Sequence, residues 1–593
     1  MDPHAEYTRR LAERQAKAER EQKLSRRIGN ARLLTAIIEV AIAFFAFGEV
    51  TITPWWLIPP ALVFFVLVGF HSRVDERLEC AKRAAVFYQW GLARLENRWM
   101  GQGEPGERFR DSSHIYADDL DIFGKGSLFE LLCTARTRVG EDTLASWLLG
   151  PAAQGEVVAR QQAVGELRAR LELRESVAVL GEPVRVGIHP ESLAAWGERP
   201  PIVFARWMRI AALALSALVV VTFALYMAQV LTRTPFLASL LVELAFSFTL
   251  KTRVDQVAES VETPAHELEL LSTMLARLER EQFQSSLLRD ILLRIKTEGL
   301  TASAQIGRLH KLVDRLDWEH NLYFKPVAAA LLWRTQLAMA IEAWRAVAGP
   351  AIRKWLHAVG EFEALLALSG HAFEHPADPF PEFIGQSGWF EATGLGHPLM
   401  SEEQCVPNDV QLGEDLRLLV VSGSNMSGKS TLLRSVGLNN VLAWAGAPVR
   451  ARRLVISPLA LGVSIRIVDS LQDGRSRFYA EITRLREIVA LTNGPRTVLF
   501  LMDELLSGTN SHDRRIGAEA IVRSLVNRGA IGMITTHDLA LAHIADNLNS
   551  HAANVHFADT IEDGRLHFDY RLHPGVVQRS NALELMRSVG LEV

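Results

Sequence analysis

Cysteine is scarce. The 593 residues hold three, Cys80, Cys133 and Cys405, scattered without metal-ligand spacing, which argues against a zinc site and fits a reducing compartment. A charge bias is lacking too: Lys+Arg 64 against Asp+Glu 68 leaves a net charge of −4, so contact with nucleic acid would need a local patch. No signal peptide is expected, because MDPHAEYTRRLAERQAKAEREQKLSRR is charged for too long; it reads as a solvated, net-basic helix. Internal repeats and low-complexity tracts are absent. The late histidines His543, His551, His556, His567 and His573 lack ligand spacing, so no metal site is expected among them. The chain is too long for one core, and at about 150 residues per domain it suggests three or four units.

Two long apolar blocks are present. The first runs from Leu33 to Phe70, with a polar break at Glu49 to Thr53, and the second from Ile210 to Leu250. A spanning helix needs about 20 apolar residues, and IAALALSALVVVTFALYMAQVL carries no charge between Arg209 and Arg233. Each block reads as a transmembrane helical hairpin. Arg26, Arg27, Arg32, Arg73, Arg77, Arg206, Arg209, Lys251 and Arg253 flank the outer ends, which places those ends in the cytoplasm. Trp55, Trp56 and Trp207 stand where interfacial aromatics belong. Glu39 and Glu243 are costly inside a span unless protonated or paired. Buried core helices of a soluble protein are the alternative.

The last third changes texture after the Pro-rich HPADPFPEF, with β-like runs LRLLVV, TVLFLMDE and AIGMITTH alternating with helical ones, which argues for a parallel sheet covered on both faces. After LRLLVV, the segment Gly423 to Ser430 fits G-x-x-x-x-G-K-S/T, a loop whose small residues turn backbone N–H groups toward a phosphate. Lys429 would reach the β- and γ-phosphates and Ser430 would ligate Mg²⁺, while a helix starting near Thr431 would aim its positive end at the anion. Asp503, ending a strand, can hold Mg²⁺, and Glu504 can orient and deprotonate the attacking water. His537 ends a third strand, where a neutral imidazole could sense the γ-phosphate.

GSNMSGKST resembles the G-P-N-M-x-G-K-S-T loop of the MutS DNA mismatch repair family. DGRSRFYAEITRL (Asp473 to Leu485) resembles its G-R-S-T-F-x-x-E-M segment, MDELLSGTNSHD its D-E-x-G-R-G-T-S-T-x-D stretch, and ANVHF its N-V-H strand. LGHPLM and VPND resemble the lead-in to its ATPase domain, and SLFELLCTARTRVGEDTLASWLLGP with RQQAVGEL its core and lever helices. The resemblance implies an α/β P-loop ATPase domain of ABC type preceded by an all-α core/lever domain, using ATP and Mg²⁺. By it, Gly423, Asn425, Gly428, Lys429, Ser430 and Thr431 form the nucleotide loop, Ser430 and Asp503 hold the metal, and Glu504 and His537 serve hydrolysis. Ser476 is the signature serine reaching the γ-phosphate of a partner subunit, which implies a homodimer with composite sites, with DNA as a family-level partner. The pattern is broken at Ser424, which replaces Pro, at Leu506 and Ser507, which replace Gly-Arg before Gly508, and at Cys405, which stands where the family places an adenine-stacking aromatic. The mismatch-reading domain and its Phe wedge are not found; the F-P-E at Phe380 to Glu382 lies in the Pro-rich junction.

The chain thus divides into a charged N-terminal helix (1–32), a transmembrane hairpin (33–72), a helical connector (73–119), core/lever helices (120–205), a second hairpin (206–253), further lever/core helices (254–375) and the ATPase domain (376–593). A dimeric ATPase anchored in the cytoplasmic membrane, with its ATPase domain in the cytoplasm, is the reading expected. An ABC-type membrane ATPase driving transport or mechanical transmission is the alternative, although no LSGGQ-like stretch lies between Lys429 and Asp503.

Overall fold

In the computed structural model, which describes residues 2–48, 53–320, 323–385, 388–424, 426–466, 477–506, 510–537, 544–545, 548, 551–562 and 565–576, residues up to Glu374 are mainly helical. The helix Ile352–Glu374 is central. Its apolar residues recur on every face, and from Phe362 to Glu374 each residue is buried, as expected of a helix packed all round. Helices Arg138–Leu149 and Gln154–Arg168 pack against it. Glu363, inside this helix, accepts the N–H groups of Arg136 (2.9 Å) and Thr137 (3.3 Å) and the Thr137 hydroxyl. A buried carboxylate is thereby hydrogen-bonded at the start of the next helix, yet burial still pushes its pKa up to about 7.

The charged N-terminal segment and the first half of the first apolar block are one helix, Pro3–Phe47. Nothing between Pro3 and Gly48 breaks a helix: the basic half is rich in Ala, Glu, Lys and Arg, all strong helix formers. The boundary drawn at residue 32 therefore falls inside a continuous element. The expected solvated helix is also corrected at its start, because Tyr7 is buried and its hydroxyl donates to Glu374 Oε1 at 3.0 Å. Arg94 closes the group with a two-pronged ion pair to Glu374, one prong from Nε at 2.7 Å. The return helix, Ile58–Leu95, packs along the first. Helices Arg206–Met227 and Arg233–Leu278 form the second hairpin. Inside it, the Thr222 and Ser239 hydroxyls pair at 2.9 Å and Ser216 donates to buried Glu243 at 3.3 Å. Among the described residues, four helices are long and apolar enough to cross a membrane. Their apolar side chains face outward, Phe65 at 71% and Phe248 at 76% exposure.

From Glu382 onward the chain builds two sheets. A small four-stranded sheet has the order Glu382–Phe383, Arg453–Ile456, Phe390–Leu395, Asn408–Leu412. The main sheet has six strands in the order Arg565–Pro574, Ala552–Glu562, Leu418–Ser422, Ile531–Thr536, Thr497–Met502, Leu459–Ser464. Its neighbours are parallel except for the antiparallel edge pair Ala552–Glu562 and Arg565–Pro574. Successive side chains alternate between faces. Leu419, Val421, Leu499, Leu501 and Met533 join the core shared with the helical body, whereas Leu418, Val420, Val498, Phe500 and Ile534 face helices Arg477–Leu491 and Ser511–Asn527. Burial on both faces explains the nearly continuous apolar runs.

Candidate active site

The central strand Leu418–Ser422 feeds the loop, and the helix after it begins at Lys429, two residues earlier than the pattern suggests. Gly428, at the N-cap with φ +104°, needs the left-handed conformation that glycine adopts without strain. Lys429 is largely buried and its Nζ donates to the carbonyls of Gly423 (2.9 Å) and Ser424 (2.8 Å). Two of the ammonium's three donors are thus used to shape the loop, leaving one for a phosphate. Burial lowers the Lys429 pKa, while Glu504 and Asp503 oppose that shift.

Parallel pairing brings the strand ends together. Ser430 Oγ donates to Asp503 Oδ2 at 2.6 Å, and the Thr535 hydroxyl donates to Asp503 Oδ1. The Glu504 N–H donates to Thr535 Oγ1 at 3.1 Å, so one threonine holds the Asp503 carboxylate and the backbone of Glu504. His537 Nδ1 lies 3.0 Å from Glu504 Oε1; a carboxylate accepts, so Nδ1 carries the proton. The Ser430 hydroxyl and Asp503 carboxylate are hard oxygen donors, and their adjacency suits Mg²⁺, which is commonly held by one or two protein oxygens with water and phosphate.

The turn after Asp503 is tightly wound: Glu504 has φ +48° and Leu506 φ +53°. Positive φ at such residues persists only where surrounding contacts hold it. Here the buried Glu481 accepts the Leu506 N–H at 2.5 Å, and Arg514 Nε donates to the Leu505 carbonyl at 2.9 Å. Glu481 is the acidic residue of the GRSRFYAE segment, so that segment's helix supports the carboxylate turn.

A cleft of about 580 Å³ opens beside the loop, lined among others by Gly428, Lys429, Ser430, Thr431 and Glu504, with Cys405, His397 and Tyr570. Its size suits a nucleotide-sized ligand. Gly423, Gly428, Lys429, Ser430, Thr431, Asp503, Glu504 and His537 therefore gather around one region. Asn425 and Ser476 lie outside the described residues, as do Ser507 and Gly508.

Sequence reasoning missed four contributors. Tyr570, on the edge hairpin, lines the cleft and stands over Gly428, where an added Cβ would meet its Cδ1 at 3.4 Å. Asn408 holds it, Nδ2 donating to the Tyr570 carbonyl (3.0 Å) and Oδ1 accepting the Leu572 N–H (2.7 Å). Thr535 was hidden in an apolar strand, although Thr-Thr before His537 was a readable polar signal. His397 is buried, accepting the Leu399 N–H on Nδ1 at 3.3 Å, and burial, then Arg434, push its pKa down to about 4. It is neutral near pH 7. Cys405 sits in the cleft and accepts the His397 N–H on Sγ at 3.2 Å.

Residues 419–592 match the family model described as MutS domain V. The chain is 33% identical over 205 residues to endonuclease MutS2 of Thermomicrobium roseum, covering 33% of this chain and 24% of that protein. It is 32% identical over 251 residues to the DNA mismatch repair protein MutS of Natronomonas pharaonis, covering 42% and 28%. With DNA mismatch repair protein MutS 2 of Halobacterium salinarum, identity is 32% over 263 residues, covering 44% and 29%. The chain matches less than a third of the length of each of these curated relatives.

Proposed function

The chain belongs to the MutS family through its domain V, and on that premise we propose that it is a membrane-anchored, dimeric, Mg²⁺-dependent ATPase whose hydrolysis is coupled to DNA. The observation that carries the hydrolytic reading is the linked set Ser430, Asp503, Thr535, Glu504 and His537, which joins two parallel strand ends to the first turn of the loop's helix within hydrogen-bond reach. Lys429 and the loop N–H groups bind the phosphates, and the helix N-terminus behind them adds a favourable field. Mg²⁺, when held by Ser430 and Asp503, neutralises phosphate charge. Glu504 accepts a proton from the attacking water, and His537, donating Nδ1–H to it, keeps its carboxylate oriented. Ser476 completes the site of the partner subunit in this reading. Coupling to DNA rests on the printed names of the relatives.

The four long apolar helices and their outward-facing side chains support anchoring in the cytoplasmic membrane, with the ATPase domain on the cytoplasmic side. The test is ATPase activity of the detergent-solubilised chain against homoduplex, mismatched, branched and single-stranded DNA at fixed salt. Stimulation by at least one DNA is expected. Robust turnover indifferent to every DNA would overturn the coupling and favour the transport or mechanical alternative. No turnover with ATP and Mg²⁺ would overturn the hydrolytic reading.

A further inference from the structure

Away from the cleft, the central helix ends in the sequence HAFEHPAD. His371 and His375 are four residues apart, so helical geometry sets both imidazoles on one face, with ring centroids 4.4 Å apart. The helix stops at Glu374. Its exit, His375-Pro376-Ala377-Asp378, is a turn closed by the Asp378 N–H donating to the His375 carbonyl at 3.2 Å, with proline at its favoured second position. This turn folds the Asp378 carboxylate back under the two rings. One ligand atom from each of the three residues lies within 4.8 Å of the others, and protein donors sharing one Zn²⁺ at bonds of about 2.0–2.2 Å stand roughly 3–4 Å apart. Small side-chain rotations cover the difference.

The hydrogen bonding is that of a ligand set. His375 Nδ1 lies 3.1 Å from the His371 carbonyl; a carbonyl can only accept, so Nδ1 holds the proton, a bond that fixes the ring and makes Nε2 of the neutral imidazole the ligand atom. His371 is only 6% exposed, and no hydrogen bond to a described residue occupies its ring nitrogens. Arg94 pairs with Glu374, and Arg450 pairs with Glu402 (3.0 Å) as well as with Asp378 (3.2 Å), so a bound metal shares the Asp378 carboxylate with Arg450.

We propose that His371, His375 and Asp378 form a three-ligand site for a divalent transition metal of the Zn²⁺ class, with water in the remaining position, at the junction of the central helix and the ATPase unit. Two imidazoles with one carboxylate suit zinc, cobalt or nickel, whereas Mg²⁺ and Ca²⁺ take all-oxygen sets. The position has mechanical reach. Arg450, the partner of Asp378, donates its backbone N–H to Asn439 Oδ1 at 2.7 Å, and Asn439 lies on the helix that begins at Lys429. Pro379, next to Asp378, accepts the Val449 N–H at 2.9 Å. A metal here stiffens the junction between helical body and nucleotide loop.

The experiment uses the full-length, detergent-solubilised chain without a histidine tag, stripped by chelator and titrated with Co²⁺ and then Zn²⁺. One Co²⁺ per chain is expected, giving visible d–d bands that Zn²⁺ bleaches, and Zn²⁺ should raise the unfolding temperature. His375→Ala and Asp378→Asn should each weaken binding on the order of 10–100-fold or more, while His573→Ala, which alters the other close histidine pair (His556 and His573, centroids 5.6 Å apart), should leave it unchanged. His371 is too deeply buried for its truncation to be the sole test. The proposal is overturned if the wild type takes up no stoichiometric Co²⁺, or if uptake persists undiminished in both His375→Ala and Asp378→Asn.

Discussion

Asn408→Ala should weaken ATP binding although Asn408 carries no charge and no catalytic group. Its side chain makes two hydrogen bonds to the edge hairpin, to the Tyr570 carbonyl at 3.0 Å and from the Leu572 N–H at 2.7 Å. At about 1 kcal/mol each, they contribute about 2 kcal/mol. Tyr570 sits at φ +54°, a left-handed conformation costing such a residue about 1–3 kcal/mol. Clamp and strain are thus of equal size, and removing the clamp lets the backbone relax and the ring leave the cleft. If the ring stacks on the base, its contact is worth about 1–3 kcal/mol, so Asn408→Ala is expected to raise the Kd for ATP on the order of 5–150-fold. Tyr570→Ala should do at least as much. The assay is equilibrium ATP binding by four proteins, all carrying Glu504→Gln to suppress turnover: the parent, each single variant and the double. Because Asn408 acts through Tyr570, the double variant should match Tyr570→Ala alone. Additive losses in log Kd, or a full loss in Tyr570→Ala beside none in Asn408→Ala, would refute the reasoning.

Lys429→Ala should abolish nucleotide binding, whereas Glu504→Gln should retain it and lose turnover, since the carboxylate acts on the attacking water rather than on bound phosphate; equal losses of ATP affinity in a direct binding measurement would contradict these roles. Glu374→Gln should leave Arg94 buried without its counter-charge, at a cost of about 3–5 kcal/mol, and loosen the N-terminal helix; trypsin should then cut faster between Arg9 and Arg27, and an unchanged cleavage rate would count against the Tyr7, Glu374 and Arg94 anchor. Acid should destabilise the fold through His397: its folded pKa of about 4 lies below the ordinary 6.5, so between those values the unfolded chain binds a proton that the folded one refuses. Stability from this group is whole above pH 6.5 and falls by about 1.4 kcal/mol per unit as pH drops toward 4. His397→Gln should flatten the pH slope of the unfolding midpoint, and identical slopes in both proteins would remove His397 as the cause.

Local pattern alone determined much of this protein. The loop 423–430, the apolar strands ending at Asp503 and His537, the covered parallel sheet and the long apolar helices were legible because each depends on residues adjacent in sequence. Glycine-rich turns, period-two or continuous apolar strands and helical periodicity restrict φ, ψ and burial over a few residues at a time. The helical continuity from Pro3 to Phe47 was obscured by a change of polarity, which alters where a helix lies without ending it. Tertiary structure alone decided which single side chains meet. Thr535 reaches Asp503 because Ile531–Thr536 pairs in parallel with both Thr497–Met502 and Leu418–Ser422. Tyr570 reaches the cleft because an edge hairpin folds over it and is caught by Asn408, 162 residues earlier. Tyr7 finds Glu374 across 367 residues. Such contacts leave no periodic trace in sequence: each is one or two hydrogen bonds made by a lone polar side chain, and its partner is set by strand order, register and helix packing.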